Sequence, residues 1–323
     1  MAEKEGRQRV AVVAIGGNSL IRDKAHHAVE DQYAAAGATA EHIARMVKDG
    51  WDVAISHGNG PQVGFILQRS EIAAKVEGLH EVPLDVCGAD SQGAIGYALQ
   101  QNLYNYYRDM GIDKTVGTIV TQTEVSSDDP AFRNPSKPIG SFMTEEEATL
   151  RRVRDGWEVV EDAGRGWRRV VASPKPIRIV EEEAVKALIS SGMTVITVGG
   201  GGIPVVADGE GRLHGVPAVI DKDLASALLA NTIGADALII STAVEKVALN
   251  WGQPDQEWID EMTLEEAKGY LAESKHFAKG SMAPKMQAVV NFLEGGGELA
   301  IITDPPNLER ALQGETGTRI TRS

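Results

Sequence analysis

Six short apolar runs, most of them followed by glycine and then by a helical pattern, restrict what this chain can fold into. RVAVVAI (Arg9–Ile15) leads into GGNS, and WDVAIS (51–56) leads into HGNGP. Further along, TVGTIV precedes a polar excursion, MTVITV precedes GGGGIP, ADALIIS precedes TAVEK and ELAIIT precedes DPP. Helix-length stretches lie between them, over residues 29–49, 61–77, 86–110, 178–191, 221–233, 263–272 and 281–294. Continuously apolar strands need cover on both faces, and strands alternating with helices pair in parallel. The expectation is an α/β fold with a parallel-rich sheet. In such sheets ligands gather beyond the carboxyl ends of the strands, where these glycine loops fall.

One region breaks the rhythm. Between about residues 124 and 172 come three prolines (Pro130, Pro135 and Pro138), several glycines and many charges. WEVVED and WRRVVA carry tryptophan and valine in alternation, so they read as short hairpin strands. This predicts an inserted subdomain projecting from the main sheet; a long ordered surface loop is the plain alternative.

Composition bounds the partners. A chain of 323 residues is one large or two moderate domains. A net charge of −14 argues against nucleic acid or an anionic membrane as partner. A small anion is still compatible, since a few lysines can reverse the field inside one cleft. No apolar run approaches the ~20 residues of a membrane span, and MAEKEGRQRV lacks the apolar core of a signal peptide. The expected location is the cytoplasm. The single cysteine, Cys87, reads as a buried structural thiol.

Glycines at strand ends allow the backbone to approach a ligand and to aim N–H groups at an anion. GGNS, HGNGP and GGGG supply three such loops; each alone is equally a tight turn. Together they suit a phosphate-rich ligand, yet they match neither a P-loop nor the G-x-G-x-x-G fingerprint. Lysines sharpen the reading. In AVIDKDLASALLA, Asp221 caps a helix and puts Lys222 in its first turn; in KGSMAPKMQ, Ser281 and Pro284 do the same for Lys285. A cation there opposes the helix dipole by roughly 0.3–1 kcal/mol, a cost that a shared anion would offset. Asp223 is the natural partner of both lysines, or simply an acid in a helix's first turn. Lys137, between two prolines in NPSKPIG, is held stiffly, as a lid residue would be, or is a solvated turn lysine. The His26–His27 pair and His57 read as backbone-satisfying groups, and no HExxH, CxxC or G-x-S-x-G pattern occurs.

GGNSL, SHGNGPQVG, PLDVCGADSQGAIGY, DPAFRNPSKPIG, EDAGRGWRRVVASP, GGGGIPV, AVIDKDLA and FAKGSMAPK occur in this order. Over about residues 10–318 the chain closely resembles the carbamate kinases of the amino acid kinase superfamily. Ser19 and Ala172 depart from the family's usual alanine and proline, beside rather than within the chemistry. The resemblance implies a three-layer αβα sandwich around an open, mostly parallel sheet, with a small protruding lid subdomain at about 124–172. It implies an N-terminal lobe over 1–216 on the carbamate side, a C-terminal lobe over 217–323 on the nucleotide side, and a homodimer. It further implies Mg²⁺-dependent phosphoryl exchange between ATP and carbamate, giving ADP and carbamoyl phosphate, of use in making ATP in fermentative arginine or related catabolism.

By matching motif, Gly16, Gly17, Asn18, Gly58, Asn59 and Gly60 would line carbamate or the migrating phosphoryl group, with Lys137 reaching it from the lid. Lys222 and Lys285 would contact the ATP phosphates and Asp223 would order them. Gly200, Gly201, Thr242, Ala243, Val244, Val247, Ala278, Gly280, Ser281 and Met282 would surround the nucleotide. The sequence singles out no protein ligand for Mg²⁺, which would travel with ATP or ADP. Rival readings are another acid-directed kinase of the superfamily, a nucleotide-binding regulator without catalysis, and an NAD-dependent enzyme. The first needs a larger pocket with more side-chain donors; the second predicts loss of a lysine; the third lacks its fingerprint.

Overall fold

The structure, a computed structural model, describes residues 8–16, 28–162, 166–278 and 280–323. The chain opens with β1 (Arg9–Ile15), α1 (Val29–Lys48), β2 (Trp51–His57), α2 (Gln62–Glu77) and α3 (Leu84–Met110). β3 (Val116–Thr118) and β4 (Gln122–Glu124) follow. A small unit comes next: β5 (Lys137–Met143), α4 (Glu145–Asp155), β6 (Val159–Glu161) and β7 (Trp167–Val171). The main body resumes with β8 (Arg178–Ile179), α5 (Glu182–Ser190), β9 (Thr194–Ile196), β10 (Ile203–Ala207) and β11 (Leu213–Gly215). Then come α6 (Lys222–Ile233), β12 (Ala237–Ser241), β13 (Val247–Leu249), β14 (Glu257–Ile259), β15 (Glu261–Thr263) and α7 (Leu264–Glu273). The chain closes with α8 (Met282–Glu294), β16 (Leu299–Thr303), α9 (Leu308–Leu312) and β17 (Thr318–Thr321).

The main sheet has eight strands in the order β15-β17-β16-β12-β1-β2-β9-β3. Only β16 and β17 run antiparallel; β1 pairs in parallel with β12 on one side and β2 on the other. Its central strands are buried on both faces, which is why they read as unbroken apolar runs. Alternate residues of β1 serve opposite cores. Val10, Val12 and Ala14 pack with Leu229, Met286 and Phe292 on the α6–α8 face. Ala11, Val13 and Ile15 pack with Ile43, Leu99 and Leu103 on the α1–α3 face. Helices on both faces make the three-layer α/β arrangement.

The sequence reading needs correction at several elements. The helix expected over 178–191 begins only at Glu182. Arg178 and Ile179 instead extend β4 as an antiparallel edge, and Glu181 spends its carboxylate on the backbone N–H of Gln122 at 2.7 Å. The helix expected from residue 86 starts at Leu84, directly after Pro83. The lid contains the antiparallel sheet β5-β7-β6, and also α4, which the hairpin pattern concealed. Thr144 and Glu147 close a capping box at its start, the usual signature of a helix N-terminus.

β5 of the lid lies close on α2: a Cβ added at Gly64 would come within 3.0 Å of Gly140 Cα. Ile139 and Val171 of the lid share a small apolar cluster with Val63, Leu84, Cys87 and Val219 of the body. At the lid's far side Arg151 of α4 pairs with Glu71 of α2 at 3.2 Å. The Arg151 and Arg169 guanidiniums lie 4.5 and 4.6 Å from the Trp157 ring centre. Cys87 is buried, and burial, aided by Asp90 and Asp85, pushes its thiol up to about 11. No helix among the described residues is long and apolar enough to cross a membrane.

Candidate active site: a cleft beyond the carboxyl ends of the strands

The start of α6 organises the site. Asp221 caps the helix, its Oδ1 accepting from the N–H groups of Asp223 (3.0 Å) and Leu224 (3.4 Å). Its other oxygen takes Lys137 Nζ at 3.0 Å. One carboxylate thus ties the first residue of lid strand β5 to the helix, a second role that capping alone did not reveal. The signal in the sequence was only a charge between IleVal-type apolar residues and a lysine; its partner lies 84 positions away.

Lys222 is the first residue of α6, and its side chain is mostly covered. Its Nζ donates to Ala14 O, at the end of β1, at 3.3 Å and lies 2.6 Å from Asp223 Oδ1. That approach is ionic, off the hydrogen-bond direction. Lys285, in the first turn of α8, donates to Asp223 Oδ2 at 2.7 Å. Asp223 therefore sits between two ammonium groups from two helix starts. Burial by itself would raise the Asp223 carboxyl, but Lys222 and Lys285 outweigh it and hold the group well below the usual carboxylate range. Burial pulls Lys222 down from its ordinary value, with Lys285 adding to the effect and Asp223 opposing it. Ser281 stands at the α8 N-cap position but makes no capping bond through its side chain. Its backbone N–H goes to Ala278 O at 3.1 Å.

The glycine loops bring in backbone. Gly16 follows β1 so closely beside β12 that a Cβ there would meet Ser241 O at 2.9 Å. Gly58 donates its N–H to Ile15 O at 3.0 Å, so its amide is spent on holding the second loop against the first. The Asn59, Gly60 and Gly200 N–H groups have no acceptor among the described residues. Gly200 has φ +67, and a Cβ on it would meet the Asn59 side chain at 2.5 Å; only glycine fits there. His57 donates from Nδ1 to Gly58 O at 2.8 Å. Burial pushes its imidazole down to about 4, Lys222 assisting against that bond, so it is neutral at ordinary pH.

These groups line one cleft of about 350 Å³. Gly16, Gly58, Asn59, Gly60, Gly200, Gly280, Ser281, Lys137, Lys222, Asp223 and Lys285 all border it. Gly17 and Asn18 lie outside the described residues, as do Ser19 and the His26–His27 pair. Gly201, Thr242, Ala243, Val244, Val247, Ala278 and Met282 are not in the lining. Thr242 opens the turn after β12, with its N–H on Thr303 O at 2.8 Å. Val247 is buried in the core, and its N–H goes to Thr318 Oγ1 at 2.8 Å. Several apolar and glycine lining residues escaped the sequence reading, among them Val63, Gly64, Ile139 and Gly140, and so did one charged one, Arg168 in β7. In GRGWRRVV nothing distinguishes it from a solvated strand arginine.

Chemically, the arrangement offers three ammonium groups and unspent amides around a space for an anion, and among the described residues that line it no nucleophile is poised beside a base. Among the described residues no group of three or more His, Cys, Asp or Glu is placed to hold a metal ion.

The amino acid kinase family profile matches residues 9–304. The chain is 50% identical to the carbamate kinase-like protein YahI of Escherichia coli, over 98% of this chain and all of that protein. It is also 50% identical to the carbamate kinase of Clostridium perfringens, over 96% of this chain and 99% of that one. Among solved structures, carbamate kinase from Giardia lamblia bound to AMP-PNP superposes with a TM-score of 0.90 at 42% identity, covering 97% of this chain and 98% of that one.

Proposed function

The chain belongs to the amino acid kinase family and is a kinase resembling the carbamate kinases over nearly its whole length, and we propose that it exchanges a phosphoryl group between ATP and carbamate. The observation that carries this is the meeting of Lys137, Lys222 and Lys285 with unspent loop amides at one cleft. In the ATP-forming direction the bond between phosphorus and the carbamoyl oxygen breaks, leaving carbamate. A terminal oxygen of ADP takes the phosphoryl group and ATP forms. Both oxygens are anionic already, so no general base is needed. The barrier lies instead in bringing anions together, which fixed cations and N–H donors lower.

We assign Lys222 and Lys285 to the migrating phosphoryl group and nucleotide phosphates, with Asp223 holding both in place. Lys137 serves the carbamate side from the lid. Gly16, Gly17, Asn18, Gly58, Asn59 and Gly60 surround carbamate; the turn at 242–244 and the start of α8 lie toward the nucleotide. The same division makes residues 1–216 the carbamate lobe and 217–323 the nucleotide lobe. Mg²⁺ fits this site as a passenger of the nucleotide, since both Asp223 oxygens are already held by lysines. When bound, it neutralises charge on the phosphate oxygens.

Carbamoyl phosphate is a mixed anhydride and carbamate decays in water, which supports ATP formation as the working direction, in fermentative arginine or related catabolism. An apolar groove between α1, α2 and α3, bordered by Tyr33, Phe65 and Tyr97, supports a homodimer. The test of the reaction is steady-state ATP formation from ADP with carbamoyl phosphate, against acetyl phosphate and acetylglutamyl phosphate. A clear preference for carbamoyl phosphate supports the reading; equal or better use of acetylglutamyl phosphate would assign the chain to an amino-acid-directed kinase instead.

A further inference from the structure

We propose that Arg168 is a substrate-contacting residue of the lid, its Nε–H engaging the planar acyl end of carbamate or carbamoyl phosphate. This deepens the carbamate kinase reading and rests on it. Arg168 lies in β7 and borders the same cleft as Lys137. Two parts of its guanidinium are committed. Nη1 donates to Asp162 Oδ2 and Nη2 to Gly140 O, each at 3.3 Å. The guanidinium carbon lies 5.2 Å from the Phe142 ring centre. These contacts hold the plane of the group.

The Nε–H is different: it is buried and has no acceptor. A buried charged donor left unmatched is destabilising, and native structures rarely keep one without reason. The bound substrate supplies an acceptor of the right kind. Its acyl end is a flat O–C–N unit with an oxygen in the plane, and a guanidinium edge recognises such groups better than an ammonium can. The division of labour is then by shape. Lysines act as point charges on the tetrahedral phosphoryl group, and the single arginine reads the planar end. Arg169, next along β7, borders a separate cavity and stacks on Trp157, so only one of the pair serves the cleft.

The experiment is steady-state ATP formation at varied carbamoyl phosphate and varied ADP, for wild type, Arg168→Lys and Arg168→Met, with melting curves for each. Arg168→Lys keeps the charge but loses the Nε edge. We expect KM for carbamoyl phosphate to rise at least ~10-fold in both variants, about 1.4 kcal/mol. KM for ADP should stay within about twofold of wild type, and the Lys variant should melt as wild type does. A fall in kcat with KM for carbamoyl phosphate unchanged, or a parallel rise in both KM values, would mean that Arg168 only braces β5 and would overturn the proposal. If wild type itself forms no ATP from carbamoyl phosphate, the reaction reading fails and this proposal with it. Wild-type turnover with an unaltered Lys variant sinks this proposal alone.

Discussion

Asp223 and its two lysines concentrate the chemistry at the scale of single residues. Removing one preorganised cation from developing negative charge costs about 10²–10³-fold in turnover. Lys222→Ala and Lys285→Ala should each lower kcat by at least ~10²-fold in a coupled ATP assay. A loss under tenfold would place those ammonium groups outside the reaction. Asp223→Asn tests the triad through pH. Burial already pulls Lys222 down, and Asp223 opposes that, so the variant should lose charge on Lys222 at lower pH. Its activity should therefore fall away at lower alkaline pH than wild type's. The acid side has its own sign. Because the folded Asp223 carboxyl is depressed, its contribution to stability is present above the unfolded carboxyl value of about 3.9 and is lost as pH falls through the folded value. Asp223→Asn should flatten the acid-unfolding curve below about pH 4. An unchanged curve would make Asp223 no more than a helix-turn acid. Lys222 and Lys285 were legible because a helix start makes a cation costly, and Lys137 because flanking prolines hold it stiffly. Arg168 was not, because the partners that fix its guanidinium, Phe142 and Gly140, lie 26 and 28 residues upstream in chain and are adjacent only once β5 pairs β7.

At the scale of elements, the lid is joined to the body by a limited set of contacts: Lys137 to Asp221, Arg151 to Glu71, the packing of Gly140 on Gly64, and the small apolar cluster of Ile139 and Val171 with Val63, Leu84, Cys87 and Val219. Units held by few contacts open more readily than the core, and closure over a labile product would exclude water. Glu71→Gln removes one partner of the far-side pair. Hydrogen exchange across residues 137–171 should then quicken, while exchange in β1 and β12 stays as in wild type. Uniform exchange in both proteins would make the pair an incidental surface contact. Lys137→Ala should chiefly raise KM for carbamoyl phosphate; an effect confined to KM for ADP would move Lys137 to the nucleotide side. The hairpin strands of the lid were legible from Trp157, Trp167 and their alternating valines. α4 was not, since more than half of TEEEATLRRVRD is charged and that polarity hides the capping box formed by Thr144 and Glu147.

At the scale of the whole molecule, the parallel sheet was legible because β1, β2, β12 and β16 are buried on both faces and have no polar stripe to confuse with a helix. Short edge elements such as β8 and β15 carry two or three residues each and leave no periodicity to detect. The residues of the 242–247 segment were identified by resemblance alone; within the chain itself, the core takes the Val247 side chain and Thr318 takes its N–H. The proposed homodimer predicts a scattering mass near twice 34.5 kDa at micromolar concentration, and a monomer mass there would refute it. The most direct test of the whole account is a crystal structure with ADP, Mg²⁺ and aluminium fluoride as a mimic of the phosphoryl group in flight. The account predicts Lys137, Lys222 and Lys285 Nζ all within about 3 Å of the mimic or its neighbouring oxygens. Any one of the three turned away into solvent, with the mimic bound, would contradict it.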